Sequence, residues 1–163
     1  MTTQETIPTS ATHLHIAGEV LGKPVTALVD TGSQTTIIDE TVAAKLGVTM
    51  TQLSRPQPIN LADGTHYATV TKETTVLLKL SPRLIIRTRC LVLPIGEEMI
   101  LGNNWLRSLQ GVIYCQQDRL TVLHHGQRHQ VDGIRQGGGN QPIRAAVVNA
   151  MYAANEIEFA GWT

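Results

Sequence analysis

Residues 27–33 read Ala-Leu-Val-Asp-Thr-Gly-Ser, and the interpretation of the chain starts from this stretch. Apolar residues lead into the triplet Asp30-Thr31-Gly32, and a hydroxyl residue, Ser33, follows it. The order is typical of a buried strand that ends in a tight turn, where glycine tolerates conformations that other residues avoid. The pattern therefore places one carboxylate at a strand end, among backbone N–H groups and small side chains. By itself, the triplet also suits an ordinary turn.

A second apolar strand end follows about seventy residues later. Residues 98–106 read Glu-Met-Ile-Leu-Gly-Asn-Asn-Trp-Leu, in which Gly102 separates an apolar run from a short helical segment. Asn103 or Asn104 is the expected N-cap of that helix. The two motifs, in this order and at this spacing, resemble those of retropepsin-like aspartic proteases of retroviruses and, more closely, of LTR retrotransposons (Ty3/gypsy-like). The resemblance covers about residues 13–132.

The resemblance implies an all-β fold, a small closed retropepsin-like barrel with one or two short helices near 40–46 and 104–109, active as a homodimer. It assigns catalysis to Asp30, Thr31 and Gly32. Two facing carboxylates share a proton because like charges that close cannot both ionise, so together they can activate a water. Ser33 is expected to support the pair by donating a hydrogen bond to the outer oxygen of the Asp30 carboxylate.

The number of triplets in the chain predicts the assembly. Four other aspartates stand in other sequence contexts: Asp39, Asp63, Asp118 and Asp132. One chain therefore supplies one catalytic carboxylate. A homodimer with the pair on its two-fold axis would supply the second. Gln34-Thr35 replaces the acidic residues, and Asn103 the arginine, that pair across the dimer in retroviral relatives. The strands around His13–Ile16 and Leu120–Leu123 are the candidates for other dimer contacts.

Asp63-Gly64 lies between two alternating segments and predicts a hairpin over residues 59–70. In the family this place holds the flap that folds over bound peptide, and an ordinary surface hairpin is the alternative. The resemblance assigns substrate binding to six residues: Leu61, Ala62, Asp63, Gly64, Thr65 and Leu101.

Short segments of strand-like periodicity occupy the remainder of this region. Asp39 is suited to cap a helix that ends at Leu46, with Gly47 in the left-handed position. The predicted strands are 13–17, 25–29, 35–38, 74–80, 84–93, 112–115 and 120–123.

Three parts are expected along the chain: a flexible leader over 1–12, the protease domain over 13–132, and a Gly-rich linker with an apolar, helix-spaced tail over 133–163. The tail has two interpretations. It either connects to a downstream domain or carries the processing sites of the protease itself.

Composition excludes several classes of function. The formal net charge is zero and the basic residues form no long run, which argues against nucleic-acid binding. No apolar stretch is long enough to span a membrane. Two cysteines favour a reducing cytoplasmic setting. The resemblance adds virus-like particles as a location within that setting. The spacing of His124, His125 and His129 fits no zinc pattern, and neither a metal nor a cofactor is expected.

The sequence thus predicts an aspartic endopeptidase that hydrolyses peptide bonds of its own polyprotein, with possible self-cleavage in 133–163. The alternative is a retropepsin-like module for dimerisation or peptide binding with little proteolytic activity.

Overall fold

The computed structural model of the protein describes residues 13–60 and 63–134. The expected leader, the hairpin residues Leu61 and Ala62, and the tail from residue 135 onward lie outside the described residues. The described part contains strands and two short helices, in the order β1 Leu14–Val20, β2 Lys23–Val29, β3 Ile37–Asp39, α1 Glu40–Leu46, β4 Thr51–Asn60, β5 His66–Ser81, β6 Leu84–Leu93, β7 Met99–Leu101, α2 Asn103–Ser108, β8 Val112–Tyr114, β9 Arg119–His124 and β10 Gln127–Asp132.

The first seven strands form one sheet that closes on itself. Its strand order is β1-β2-β7-β3-β6-β5-β4, and a further pairing of Glu19 with Lys79 joins β1 to β5. Six strands therefore complete a ring, and β4 lies outside it as an added edge strand. The expected closed all-β fold is confirmed.

Alternation along the strands divides the apolar side chains between two clusters. Successive residues of a strand point to opposite faces. Val29, Ile38 and Leu101 accordingly belong to the main core, which also contains Trp105 of α2. The intervening positions form a second cluster that joins strands β2, β3 and β7 to the hairpin strands: Leu28, Ile37, Ile59, Val70, Leu91, Leu93 and Ile100. The base of the hairpin is thus anchored beside the end of β2.

Helix α1 begins and ends where its capping residues predict. The Asp39 carboxylate accepts hydrogen bonds from the N–H groups of Thr41 and Val42, at 3.0 and 3.2 Å. Gly47 takes the left-handed conformation, with φ of 80°, and its N–H donates to the carbonyl oxygens of the last turn. Both ends of α1 therefore follow from local sequence.

The last three strands form a separate antiparallel sheet in the order β10-β9-β8. Strand β9 lies between its two neighbours, so both of its edges are already paired. The dimer contact expected at Leu120–Leu123 would therefore have to use side chains, because the backbone of β9 is already paired on both edges. Strand β1 is similarly occupied, because it pairs with β2 along its whole length and its His15 also forms a bridge to Ile134.

Strand β4 is longer than the sequence predicts, and strand β10 was not predicted. Strand β4 already begins at Thr51 and contains Pro56 and Pro58, which an edge strand tolerates because its outer N–H groups need no partner. Strand β10 carries mostly polar residues and follows a tight turn in which His125 and Gly126 both have positive φ.

Candidate functional site

Asp30 directly follows β2, and a distant strand fixes its backbone. Strands β2 and β7 run parallel, with Val29 beside Leu101. The N–H of Asp30 donates to the carbonyl oxygen of Leu101 at 3.1 Å. The carboxylate-bearing residue is therefore held at the point where two buried parallel strands end.

The two carboxylate oxygens of Asp30 have different surroundings. Oδ1 accepts a hydrogen bond from the N–H of Gly32 at 2.8 Å. Oδ2 is buried and has no hydrogen-bond partner among the described residues. Burial raises the pKa of Asp30, an effect opposed by the Gly32 N–H and by the charge of His13, while the charge of Glu97 adds to the increase. A buried oxygen without a donor favours the protonated form of a carboxyl group.

The turn after Asp30 is braced by the first residues of α2. The N–H groups of Asn103 and Asn104 donate to the carbonyl oxygens of Ser33 and Gln34, at 2.7 and 3.2 Å. These N–H groups lack partners within a helix, so turn and helix satisfy each other. The sequence prediction of an asparagine N-cap is wrong: the N-cap is Gly102, which has no side chain, and the Asn104 side chain accepts the N–H of Trp105 at 2.8 Å from within the first turn.

Gly102 is in close contact with the same turn. A Cβ atom on Gly102 would collide with the carbonyl group of Thr35 and crowd that of Ser33. Its φ of −88° is ordinary, so the requirement for glycine comes from space alone. Thr36 completes the junction, since its hydroxyl accepts from the Gly102 N–H and donates to the Asn104 side chain.

Ser33 differs from its predicted role. Its hydroxyl is buried and donates to the carbonyl oxygen of Thr35 at 2.8 Å, and no hydrogen bond joins it to the Asp30 carboxylate. A serine side chain readily reaches a backbone carbonyl two residues away. The single hydroxyl hydrogen is thus used within the turn, and the Ser33 side chain supports the loop, while its backbone N–H contributes to lowering the pKa of Asp30.

Thr31 is exposed and opens onto a cavity of about 410 Å³. The cavity lies between the triplet, α2 and β8, and its lining contains both apolar and polar side chains: Thr31, Asn103, Leu106, Arg107, Gln110, Gly111 and Ile113. The triplet is therefore continuous with a concave surface that includes the edge strand β8.

The predicted hairpin is present, and its described tip is held by a local turn. The N–H of Thr65 donates to the Asp63 carboxylate at 2.8 Å, and Gly64 has a φ of 91°. Hydrogen bonds from Thr65 lower the pKa of Asp63. Further along β5, the Tyr67 hydroxyl donates to the carbonyl oxygen of Pro94 at 3.3 Å, which attaches the hairpin to the barrel.

Leu101, expected to bind substrate, is placed elsewhere. Its side chain is fully buried in the main core, so it presents no surface to a ligand. Its carbonyl group instead receives the Asp30 N–H, and its contribution to the site is through the backbone.

The sequence analysis missed two residues whose charges reach Asp30, namely His13 and Glu97. Local sequence gives no sign of Glu97, because it lies far along the chain in a polar turn. His13 precedes the Leu14–Val29 pair of the β1–β2 hairpin, so a hairpin formed by the predicted strands 13–17 and 25–29 would have placed it near Asp30.

Other chemistries find no support in residues 13–60 and 63–134. No three histidine, cysteine or acidic side chains there are grouped so that they could hold a metal ion. Within the same ranges, no helix has the length and apolar character needed to cross a membrane.

The chain is similar to solved structures. The retroviral protease-like domain of Ddi1 from Leishmania major is similar with a TM-score of 0.57 and 18% sequence identity, over 76% of this chain and 95% of that one. The EIAV protease in complex with the inhibitor HBY-793 matches with a TM-score of 0.41 and 23% identity, over 59% of this chain and 86% of that one. At 18% sequence identity, the similarity to the Ddi1 domain shows a common fold, which is retropepsin-like. No curated protein sequence matches the chain.

Residues 16–108 match the model of a protein family described as gag-polyprotein putative aspartyl protease. The matched span contains both the triplet and Gly102, the two parts that meet in the structure. It also makes up more than half of the 163 residues. The chain therefore belongs to the gag-polyprotein putative aspartyl protease family.

Proposed function

We propose that the protein is an aspartic endopeptidase that acts as a homodimer and cleaves its own polyprotein. Each protomer would contribute Asp30 to a shared catalytic pair, with Thr31 and Gly32 forming the turn around it. The observation that carries the proposal is the buried Oδ2 of Asp30, which has no partner among the described residues. A second carboxyl group sharing one proton would satisfy this atom.

The proposed pair would work with one proton between its two carboxyl groups. The ionised carboxylate takes a proton from a water molecule as the water oxygen bonds to the peptide carbonyl carbon. The protonated carboxyl group gives its proton to the carbonyl oxygen. When the tetrahedral intermediate collapses, its C–N bond breaks, and the leaving nitrogen receives a proton from the pair. The hairpin over 59–70 would cover the peptide during these steps.

Mixing active and inactive chains tests whether the pair is shared. With an equal amount of Asp30→Asn chains and free exchange of protomers, random pairing leaves about half of the wild-type chains in wild-type dimers. Cleavage per wild-type chain should therefore fall to about half and approach zero with excess mutant. An activity that is insensitive to added mutant would show that a single chain carries the catalysis, and would contradict the proposal.

The surface for the second protomer would include β8 and the cavity beside Thr31. Strand β8 is an edge strand, and it exposes Val112 and Tyr114 by 41% and 44%. The opposite edge, β10, exposes polar side chains such as Gln127 and Gln130. An apolar edge invites pairing with another strand, whereas a polar edge discourages it. The apolar edge is also continuous with Thr31 through the cavity lining.

Lysine substitutions on the two edges should have different effects. Val112→Lys combined with Tyr114→Lys should raise the dimer dissociation constant at least about tenfold, because it places charge on an edge that has to be paired. Gln127→Lys combined with Gln130→Lys makes the same change in charge on β10 and should leave the constant unchanged. Sedimentation equilibrium measures both variants. If the two pairs of substitutions raised the dissociation constant equally, the effect would come from the added charge in general and not from a dimer contact at β8.

The remaining assignments rest on the same proposal. The protease domain would span 13–132, between the leader and the 133–163 tail, in a cytoplasmic setting that includes virus-like particles. Processing sites in the tail would make the chain one of its own substrates. The alternative, a dimerisation or peptide-binding module with little proteolysis, predicts that a peptide binds to wild type and to Asp30→Asn alike without being cleaved.

A further inference from the structure

Residues 94–98, here called the connector segment, link β6 to β7 and receive hydrogen bonds from several parts of the barrel. The Tyr67 hydroxyl of the hairpin donates to Pro94 O at 3.3 Å, and the Thr26 N–H of β2 donates to the Glu98 carboxylate at 2.8 Å. Asp39, the cap of α1, bonds the segment twice, through the N–H of Ile95 and the carbonyl of Glu98. The segment then enters β7, whose last residue holds the Asp30 N–H.

Glu97 is the member of this segment whose charged side chain is buried. Its carboxylate lies 3.1 Å from Nε2 of His15 on β1, and the two side chains are only 7% and 3% exposed. The other salt bridges among the described residues are at least a quarter exposed on each partner. A buried carboxylate that loses its partner is strongly unfavourable, so the pair holds the connector segment against β1 in one position.

The pair also lies within electrostatic reach of the candidate site. His15 is opposite Leu28, two residues before Asp30. Two charged side chains act on the Asp30 carboxyl group: Glu97, which raises its pKa, and His13, which lowers it. The connector segment therefore joins the hairpin contact and the surroundings of Asp30 in one short stretch of chain.

We propose that His15 and Glu97 form a positioning pair that fixes the connector segment, and so controls both the seating of the hairpin on Pro94 and the negative charge near Asp30. The hairpin part stands independently of the proposed function. The part that concerns Asp30 rests on the proposed function, because its test measures the rate of peptide cleavage.

Hydrogen exchange of residues 66–70 tests the hairpin part without any cleavage assay. Glu97→Ala removes the bond to His15 and should accelerate exchange at least about fivefold, because local opening becomes easier. Tyr67→Phe removes the hairpin contact directly and should give a similar acceleration, and the double variant should add little. Glu19→Ala removes an exposed carboxylate of β1, the strand that carries His15, and should leave exchange in 66–70 unchanged. Equal acceleration by Glu97→Ala and Glu19→Ala would overturn the pair's special role.

Glu97→Gln separates charge from position. The amide retains a hydrogen-bonding group of the same shape, so hairpin exchange should stay close to wild type. Removal of the negative charge should make Asp30 easier to ionise and move the acid limb of kcat/KM to lower pH by about half a unit. His13→Gln removes the side chain whose charge lowers the pKa of Asp30 and should move the acid limb upward.

The outcomes distinguish this inference from the proposed function. An unchanged acid limb in Glu97→Gln, with an active wild-type enzyme, would overturn the charge effect while the proposed function stands. Absence of cleavage by the wild type would remove the proposed function, and hydrogen exchange alone would then decide the positioning role. Far-UV circular dichroism of each variant confirms that the barrel is intact.

Discussion

Asp30→Asn is expected to reduce peptide cleavage by a factor on the order of a thousand or more, as the loss of a central catalytic group does. The amide oxygen can still accept the N–H of Gly32, so the turn should keep its shape. What the amide cannot do is bind and release a proton in the working pH range. The effect is measured as the rate of cleavage of one peptide substrate, at a protein concentration high enough for dimers to form.

A matched variant separates the role of Asp30 from a general effect of removing a carboxylate. Asp118 lies exposed in the turn between β8 and β9 with a φ of 53°, a conformation that asparagine also tolerates. Asp118→Asn should therefore retain wild-type cleavage. If purified Asp30→Asn cleaves as fast as Asp118→Asn, the catalytic assignment of the triplet is wrong.

Gly102→Ala is expected to destabilise the fold by about 3 kcal/mol or more, because the new methyl group overlaps backbone atoms that cannot rotate away. The carbonyl groups of Ser33 and Thr35 would have to move, and both belong to the turn that carries Asp30. Loss of activity should therefore accompany loss of stability. Urea unfolding of the variant and of the wild type gives the difference in the free energy of unfolding.

Gly47→Ala provides the comparison for Gly102→Ala. Gly47 has a φ of 80° and open space around its Cα, so alanine there meets only backbone strain, at a cost of about 1 kcal/mol. Substitution of the two glycines is thus unfavourable for different reasons. At Gly102 there is no space for a side chain, whereas at Gly47 the backbone has a left-handed conformation. A cost at Gly102 no larger than that at Gly47 would contradict the close packing of α2 against the turn.

The parts of the fold that sequence predicted depend on neighbours in the chain. Asp39 and Gly47 bound α1 because a cap needs only the residues of its own helix end. Strand β6 has the predicted bounds, since its alternating and apolar residues mark both faces. The triplet and Gly102 were likewise recognisable as two strand ends, and the structure brings these two together.

The parts that sequence did not predict depend on groups far apart in the chain. The N-terminus of α2 uses carbonyl groups of residues 33 and 34, so no side-chain signal marks Gly102 as its cap. The Ser33 hydroxyl donates to the Thr35 carbonyl oxygen, whose orientation is defined only once the turn has folded. His15 and Glu97 become partners only when β1 and the connector segment meet. Strand β10 carries few apolar residues, because nearly all of its side chains are at least partly exposed and only Val131 is buried.

The dependence of the Asp30 turn on residues 101–104 also sets the time at which the site can exist. During synthesis the triplet leaves the ribosome well before Leu101, which accepts the Asp30 N–H, and before the donors of Asn103 and Asn104. Pairings between such distant residues form late in folding, because the intervening chain has to be closed first. A nascent chain that ends after β6 therefore contains Asp-Thr-Gly but no positioned carboxylate. The order of translation therefore prevents the site from forming until residues 101–104 have been synthesised.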